Sequence, residues 1–176
     1  STNTSLQQMF ADTQFRGVDV SKISIKQLLT HQSGLDNQPL VWATAYSGIH
    51  TPASLKALVA GSYPDAESKT GQFNYSNVGY NILSTWLDQQ SDLSWQQQLQ
   101  TLIFTPLQMQ HSSTLVSEAK RKNWMLAKPY SAMSPTPAQE LYLQKTDRTM
   151  HAAGGMLATA PDLAKFLIAQ MQDGGA

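Results

Sequence analysis

Apolar residues recur at helical spacing along most of the chain, and hydrogen-bonding residues stand just before several of these runs. Ser24 and Gln27 form a capping box, in which each side chain binds a free backbone N–H group. The helix that they begin carries Leu28 and Leu29 and is expected to stop near Gly34. Four further helices are predicted from caps, apolar stripes and breakers: Thr51 to Gly61, Ser76 to about Gln89, Ser94 to Pro106, and Thr159 to Met171, closed by Gly174-Gly175.

Strand signals are sparse. Asn123 to Pro129 and Gly155 to Thr159 are the segments that we predict as short strands. Ser131 to Met150 is predicted to be a long irregular loop, and loops of that length are often functional walls or lids. No repeat or flexible linker divides the chain. The pattern therefore predicts one mostly α domain over residues 1–176.

Composition excludes several classes of function. The 176 residues include 12 basic and 12 acidic side chains, so no long-range field attracts nucleic acid or an anionic membrane. The basic run from Lys120 to Lys122 is expected to be a solvated helix face. The absence of cysteine excludes disulfides and thiolate chemistry. No apolar run approaches the roughly 20 residues of a membrane span. Since the chain begins at Ser1 without a leader sequence, its start looks trimmed.

Metal and cofactor binding are not indicated. The histidines show no paired spacing typical of zinc ligands; they are His31, His50, His111 and His151. Trp86, Trp95 and Leu99 stand at helical spacing and are expected to be core residues rather than a cofactor site. We therefore expect no metal and no organic cofactor.

Two triplets, Lys69-Thr70-Gly71 and Tyr75-Ser76-Asn77, resemble catalytic motifs and stand three residues apart. A Ser-x-x-Lys spacing, which places a serine and a lysine on one helix face, occurs from Ser117 to Lys120. Each motif has a structural alternative. Thr70-Gly71 is typical of a turn, Tyr75 to Asn77 of a helix start, and Ser117 of an exposed helix start.

Four segments in order resemble consecutive landmarks of one enzyme family. They are ISIKQLLTHQSGL (23–35), FNYSNVGYNIL (73–83), IFTPLQMQHSS (103–113) and AAGGMLATAPDLAKF (152–166). The family is that of the class C β-lactamase and DD-peptidase-like (penicillin-binding-protein-like) serine hydrolases. The resemblance implies that the chain is the helical subdomain of an α+β fold, with the flanking sheet region absent.

The resemblance also implies roles for individual residues. Tyr75 would transfer a proton, and Asn77 would hydrogen-bond the substrate amide. Gln38 falls near a substrate-contacting glutamine, although an exposed loop glutamine is an equal alternative. Gly154 and Gly155 match a segment that lines one cleft wall, although a backbone turn would explain the pair as well.

The order of motifs in the family separates real from accidental ones. Its Ser-x-x-Lys nucleophile precedes the tyrosine motif and its Lys-Thr-Gly follows on the opposite wall. In this chain Lys69-Thr70-Gly71 comes before Tyr75, where the family has its triplet after the tyrosine. Ser117 comes after Tyr75, where the family has its nucleophile before the tyrosine. We therefore expect a nucleophile upstream of Ser1, and a chain that lacks both this serine and the far wall.

Two functions from different classes follow. The first is a piece of a serine hydrolase whose serine is acylated by a β-lactam, a D-Ala-D-Ala peptide or an ester. This piece is expected to be inactive when taken alone. The second is a non-catalytic module that binds peptidoglycan or a partner protein. The family resemblance implies a periplasmic or other extracytoplasmic location. Helices left uncovered by a missing sheet domain would also favour self-association.

Overall fold

The computed structural model describes residues 1–15, 17–131, 140–141, 145–149 and 151–172. Its helices are α1 Leu6–Met9, α2 Ile25–Leu29, α3 Gln38–Trp42, α4 Pro52–Ala60, α5 Val78–Gln90, α6 Trp95–Leu99, α7 Val116–Arg121 and α8 Ala160–Met171. A 3-10 turn lies at Val20–Lys22. The helices α3 and α6 continue as single π-helical turns, Ala43–Ser47 and Gln100–Phe104.

The predicted caps begin the predicted helices. The Gln27 Oε1 accepts the Ser24 backbone N–H at 2.8 Å, and the Ser24 Oγ accepts the Gln27 N–H at 3.3 Å. Ser94 and Gln97 repeat this arrangement at α6. The helix α2 ends at Leu29 and not near Gly34, because His31 adopts a left-handed backbone conformation with φ 56°. The predicted close of α8 at Gly174-Gly175 lies outside the described residues.

The strand predictions were wrong. Asn123 has φ 52° and ends α7, and no strand forms over the segment 123–129. At its end the Pro129 carbonyl accepts the Leu141 N–H at 2.9 Å, beside an isolated bridge between Tyr130 and Glu140. The segment 155–159 pairs only at Leu157, which exchanges backbone hydrogen bonds with Ser113. The strands that do form were not predicted; they are β1 Leu35–Asp36 and β2 Tyr63–Pro64, which pair antiparallel. Most of the predicted 131–150 loop lies outside the described residues.

The core is built around α5. Ile82 and Val78 on this helix are buried with Leu28 from α2 and Val59 from α4. The approach of α2 to α5 is close, because a Cβ placed at Gly79 would lie 2.6 Å from the Leu28 carbonyl oxygen. The first turn of α5 thus packs directly on the backbone of α2.

An apolar groove of about 510 Å³ lies between α2, α5 and α6. Trp95 is buried beside it, as predicted for a core residue, whereas Trp86 and Leu99 are half-buried and line the groove. Leu102 is 67% exposed at its edge. None of the described helices has both the length and the apolar character needed to cross a lipid bilayer.

The triplet Lys69-Thr70-Gly71 forms a turn, as predicted. The Gln72 N–H donates to the Lys69 carbonyl at 2.9 Å, and Gly71 has φ 92°, the conformation that glycine adopts in a type II turn. The turn packs on Gly34, where an added Cβ would lie 2.5 Å from the Thr70 nitrogen. The Thr70 hydroxyl donates to the Ser33 carbonyl at 3.0 Å and fastens the two segments together.

Gly34→Ala should destabilise the protein more than Gly71→Ala. Both glycines have positive φ, so alanine costs about 1–2 kcal/mol of backbone strain at either position. At Gly71 an added Cβ meets no atom within 4 Å, but at Gly34 it meets backbone, which adds about 1–3 kcal/mol. Urea unfolding measures the difference, and equal losses for the two variants would contradict the packing described here.

Candidate functional site

Tyr75, Ser76 and Asn77 stand at the beginning of α5. The Ser76 Oγ accepts the Val78 N–H at 3.2 Å and so satisfies one free donor of the helix. The side chain of Asn77 is not used in this cap, and its Oδ1 accepts the Tyr75 hydroxyl at 3.1 Å. Within the described part of the chain the Asn77 Nδ2 has no hydrogen-bond acceptor. Tyr75 is 66% exposed and Asn77 is half-buried, so the phenol is open to solvent and to a ligand.

His31 contacts the segment 75–77 through its imidazole ring. The Ser76 N–H donates to His31 Nδ1 at 3.2 Å, and the imidazole and Tyr75 ring centres are 4.7 Å apart. The imidazole also contacts Phe73 and Tyr80, at 5.9 and 5.4 Å between ring centres. Tyr75 therefore rests on a packed aromatic cluster although most of its own surface faces solvent.

The loop that precedes Tyr75 has a second anchor at Asp65. The Asn74 N–H donates to the His31 carbonyl at 2.8 Å, and the Asn74 side chain donates to Asp65 Oδ2 at 2.8 Å. The hydrogen bond from the Glu67 backbone N–H, with those from Asn74 and Ser68, lowers the pKa of Asp65 below its ordinary value. The carboxylate is thus held ionised as an acceptor for the loop.

Two cavities meet at Asn77. The larger, about 660 Å³, is lined by Tyr75, Asn77 and the predicted Gln38, whose amide nitrogen donates to Asp36 at 3.1 Å. The smaller, about 220 Å³, is lined by Asn77 and the predicted Gly154. Four of the five sequence-predicted site residues therefore share one cleft system. Gly155 is buried and lines neither cavity.

A buried polar network supports the wall of the smaller cavity. His151 Nδ1 lies 3.0 Å from Asn81 Oδ1, and the Asn81 amide donates to the Thr44 hydroxyl at 3.0 Å. Because Asn81 can only accept through Oδ1, the imidazole carries its proton on Nδ1. Burial, with the nearby charge of His50, lowers the pKa of His151 to about 4, so the ring is neutral at pH 7.

Ser117 lies in the first turn of α7, as the structural interpretation predicted. The Asp147 carboxylate accepts its backbone N–H at 2.9 Å, and the serine side chain faces the same carboxylate. Its partner is thus an acid rather than Lys120. The exposed Lys120 and Arg121 end the helix, and Lys122 pairs with Glu118 at 2.8 Å.

Sequence reasoning missed three residues that shape the site: His31, Lys145 and His151. His31 stands two residues before a serine-glycine turn, a context that suggests no contact with Tyr75. Lys145 donates to the Ala45 carbonyl at 3.0 Å, and His151 reaches Asn81. These partners are 100 and 70 residues apart along the chain, and no local pattern signals such contacts.

Comparison with known proteins agrees with this architecture. A family model described as Beta-lactamase matches residues 6–176. Similar solved structures include the D-amino acid amidase of Ochrobactrum anthropi SV3, at TM-score 0.70 and 19% identity over 99% of this chain and 48% of that one. The octameric penicillin-binding protein homologue of Pyrococcus abyssi gives TM-score 0.72 and 20% identity over 99% and 40%. A class C beta-lactamase gives 0.68 and 20% over 98% and 44%.

The TM-scores show that this chain shares the fold of the three structures. The chain spans less than half the length of each of the three proteins. No curated protein matches it.

Lowering the pH should weaken the fold through His151. The unfolded imidazole, with a pKa near 6.5, takes up a proton as the pH falls, whereas the folded ring does so only near pH 4. Stability is therefore lost between about pH 6.5 and 4, by up to about 3 kcal/mol. His151→Gln keeps a donor for Asn81 but cannot titrate. Urea unfolding at pH 7 and pH 4.5 should show a smaller loss in this variant, and an identical loss in both proteins would exclude His151 as the cause.

Proposed function

The chain belongs to the Beta-lactamase family, and on that premise we propose that it forms one wall of the active site of a serine hydrolase that catalyses acyl transfer. The observation that carries this proposal is the Tyr75–Asn77 contact at the junction of two cavities. A hydroxyl and an amide, held together and facing a cleft, can donate to and accept from the group that reacts there.

Each of the two residues has a defined task in this reaction. A serine attacks the carbonyl carbon of an amide, lactam or ester, and its proton passes through Tyr75 to the leaving nitrogen or oxygen. The Asn77 amide hydrogen-bonds the substrate amide and aligns the carbonyl for attack. Water then hydrolyses the acyl-serine ester and releases the enzyme.

We propose that other segments of a longer protein supply the nucleophile. Ser117 faces the Asp147 carboxylate, so it does not form the serine–lysine pair of the Ser-x-x-Lys motif. Lys69-Thr70-Gly71 is a turn packed on Gly34 and takes no part in the cleft lining. The matched structures are about twice the length of this chain or more, which leaves room for a Ser-x-x-Lys helix and an opposite wall.

The proposed substrates are a β-lactam, a D-Ala-D-Ala peptide or a simple ester. The matched structures are named as an amidase, a penicillin-binding protein homologue and a β-lactamase, which supports acyl compounds as a class. An extracytoplasmic location would suit a substrate of the peptidoglycan type. Gln38 in the cavity on one side of Asn77 and Gly154 in the cavity on the other are the proposed substrate contacts.

Taken alone, the 176-residue chain should not hydrolyse a chromogenic β-lactam or an activated ester above a Tyr75→Phe control. It should also form no acyl adduct with penicillin by intact-protein mass spectrometry, because among the described residues no serine hydroxyl is hydrogen-bonded to a lysine amine. The Nδ1 of His151, which lies 3.3 Å from the Ser84 hydroxyl, already carries the proton that it donates to Asn81. In a longer protein that contains the Ser-x-x-Lys segment, Tyr75→Phe should lower kcat by orders of magnitude.

Tyr130→Phe is the matched control, since this tyrosine is 53% exposed and lines neither cavity. An acyl adduct on the chain itself would show that the nucleophile was misplaced. If the longer protein is active and its kcat is unchanged by Tyr75→Phe, the proposed role of Tyr75 is refuted. A longer protein inactive on all three substrate classes would favour the binding-module alternative.

We also propose that the chain self-associates through the apolar groove. Light scattering should show an apparent mass that rises with concentration, because exposed apolar surface is buried in the contact. Leu102→Gln should reduce this rise. Met125→Gln, which changes an apolar side chain 99% exposed and outside the groove lining, should not. A monomer at all concentrations, or equal effects of the two variants, would contradict the proposal.

A further inference from the structure

Lys145 lies in the wall of the smaller cavity and has no acidic partner among the described residues. Its Nζ donates to the Ala45 carbonyl at 3.0 Å and lies 5.9 Å from the centre of the Tyr46 ring. Among the ion pairs of the described residues, none includes Lys145. An ammonium group has three N–H donors. Two of them are therefore left for a ligand.

The surroundings give this cavity a positive character. Of the described residues that line it, none carries a carboxylate, and its polar side chains include Asn77 and Asn81. His151, which also lines it, is neutral at pH 7 because burial holds its pKa at about 4. Lys145 is thus the charged group that a ligand meets in this cavity.

The cleft on the other side of Asn77 has the opposite sign. Its lining includes Asp36, Asp65 and Glu67. Asn77 and Val41 line both cavities. A ligand that lies across Asn77 therefore meets a cation on one side and carboxylates on the other, so an anionic group on it is directed toward Lys145.

The loop that carries Lys145 is held in place by other contacts. Asp147 accepts the backbone N–H of Ser117 at 2.9 Å, and the His50 ring nitrogen lies 2.9 Å from the Arg148 carbonyl. His151, at the far end of the loop, is bonded to Asn81. Three other contacts thus hold this loop in place, so its position does not depend on the ammonium group of Lys145.

We propose that Lys145 binds a carboxylate of the ligand that Asn77 contacts, which makes the smaller cavity an anion subsite. That this ligand is the substrate rests on the proposed function. The substrate class is then narrowed to acyl compounds that bear a carboxylate on the part lying against Asn77. Neutral amides and neutral esters would leave the two free donors of Lys145 without an acceptor.

The test is a comparison of two small probes on the ¹⁵N-labelled chain by NMR titration at pH 7. Succinamic acid has one amide and one carboxylate, and succinamide replaces the carboxylate by a neutral amide of the same size. The acid should bind about five-fold more tightly than the diamide, through a charge-assisted hydrogen bond. Added salt should narrow the difference.

Lys145→Met should abolish the preference for the acid, and Lys145→Arg should retain it. Lys69→Met, which removes a charge from the exposed turn outside both cavity linings, should leave it unchanged. Equal affinity for the two probes, no measurable binding of the acid, or a preference that survives Lys145→Met would overturn the proposal. A longer protein indifferent to Tyr75→Phe would refute the catalytic role of Tyr75 and leave this binding result standing.

Discussion

The site depends on one contact between two loops, the segment 31–34 and the segment 69–76. Gly34 lets the turn at Thr70 approach to a distance that a side chain would prevent. Behind it, His31 receives the Ser76 N–H and stacks against Tyr75. Because backbone groups make most of these bonds, the position of Tyr75 is set by the course of the chain rather than by its own exposed side chain. The backbone contacts therefore fix the position of the Tyr75 phenol although this group faces solvent.

Charge is distributed around this fixed point in an ordered way. Asn77 lies between a cleft with three carboxylates and a cavity with one lysine. The buried His151 stays neutral, so it supports the cavity wall through hydrogen bonds and adds no charge. Burial of a neutral imidazole avoids the cost of desolvating a cation, but the protein becomes sensitive to acid in return. Asn77 is thus the residue at which the two cavities meet and at which the sign of the surrounding charge changes.

Sequence patterns predicted the helices well where caps and stripes coincide, as at Ser24 and Ser94, because such signals act within four residues. They failed for the two-residue strands, whose pairing of Leu35 with Pro64 depends on the path of the chain between them. No strand forms over the apolar segment after Asn123; its end bonds to the chain at Leu141, whose N–H donates to the Pro129 carbonyl, and this contact could not be read from local sequence.

The candidate site shows the same division. The triplet of Tyr75, Ser76 and Asn77 could be found because the family motif is local and ordered among other landmarks. Lys145 and His151 act through partners 100 and 70 residues away, and their chemistry is decided by burial and by the hydrogen bonds that they make there. Such features exist only once the chain has folded.

The central claim is that Tyr75 and Asn77 face the reacting group of an acyl-transfer site. The most direct measurement is a crystal structure of a longer protein containing this chain, trapped as an acyl-serine adduct. We expect the Tyr75 hydroxyl within hydrogen-bond distance of the serine oxygen, at about 2.6–3.2 Å, and the Asn77 amide bonded to the acyl group. An adduct bound elsewhere, with Tyr75 still paired only to Asn77 and solvent, would contradict it.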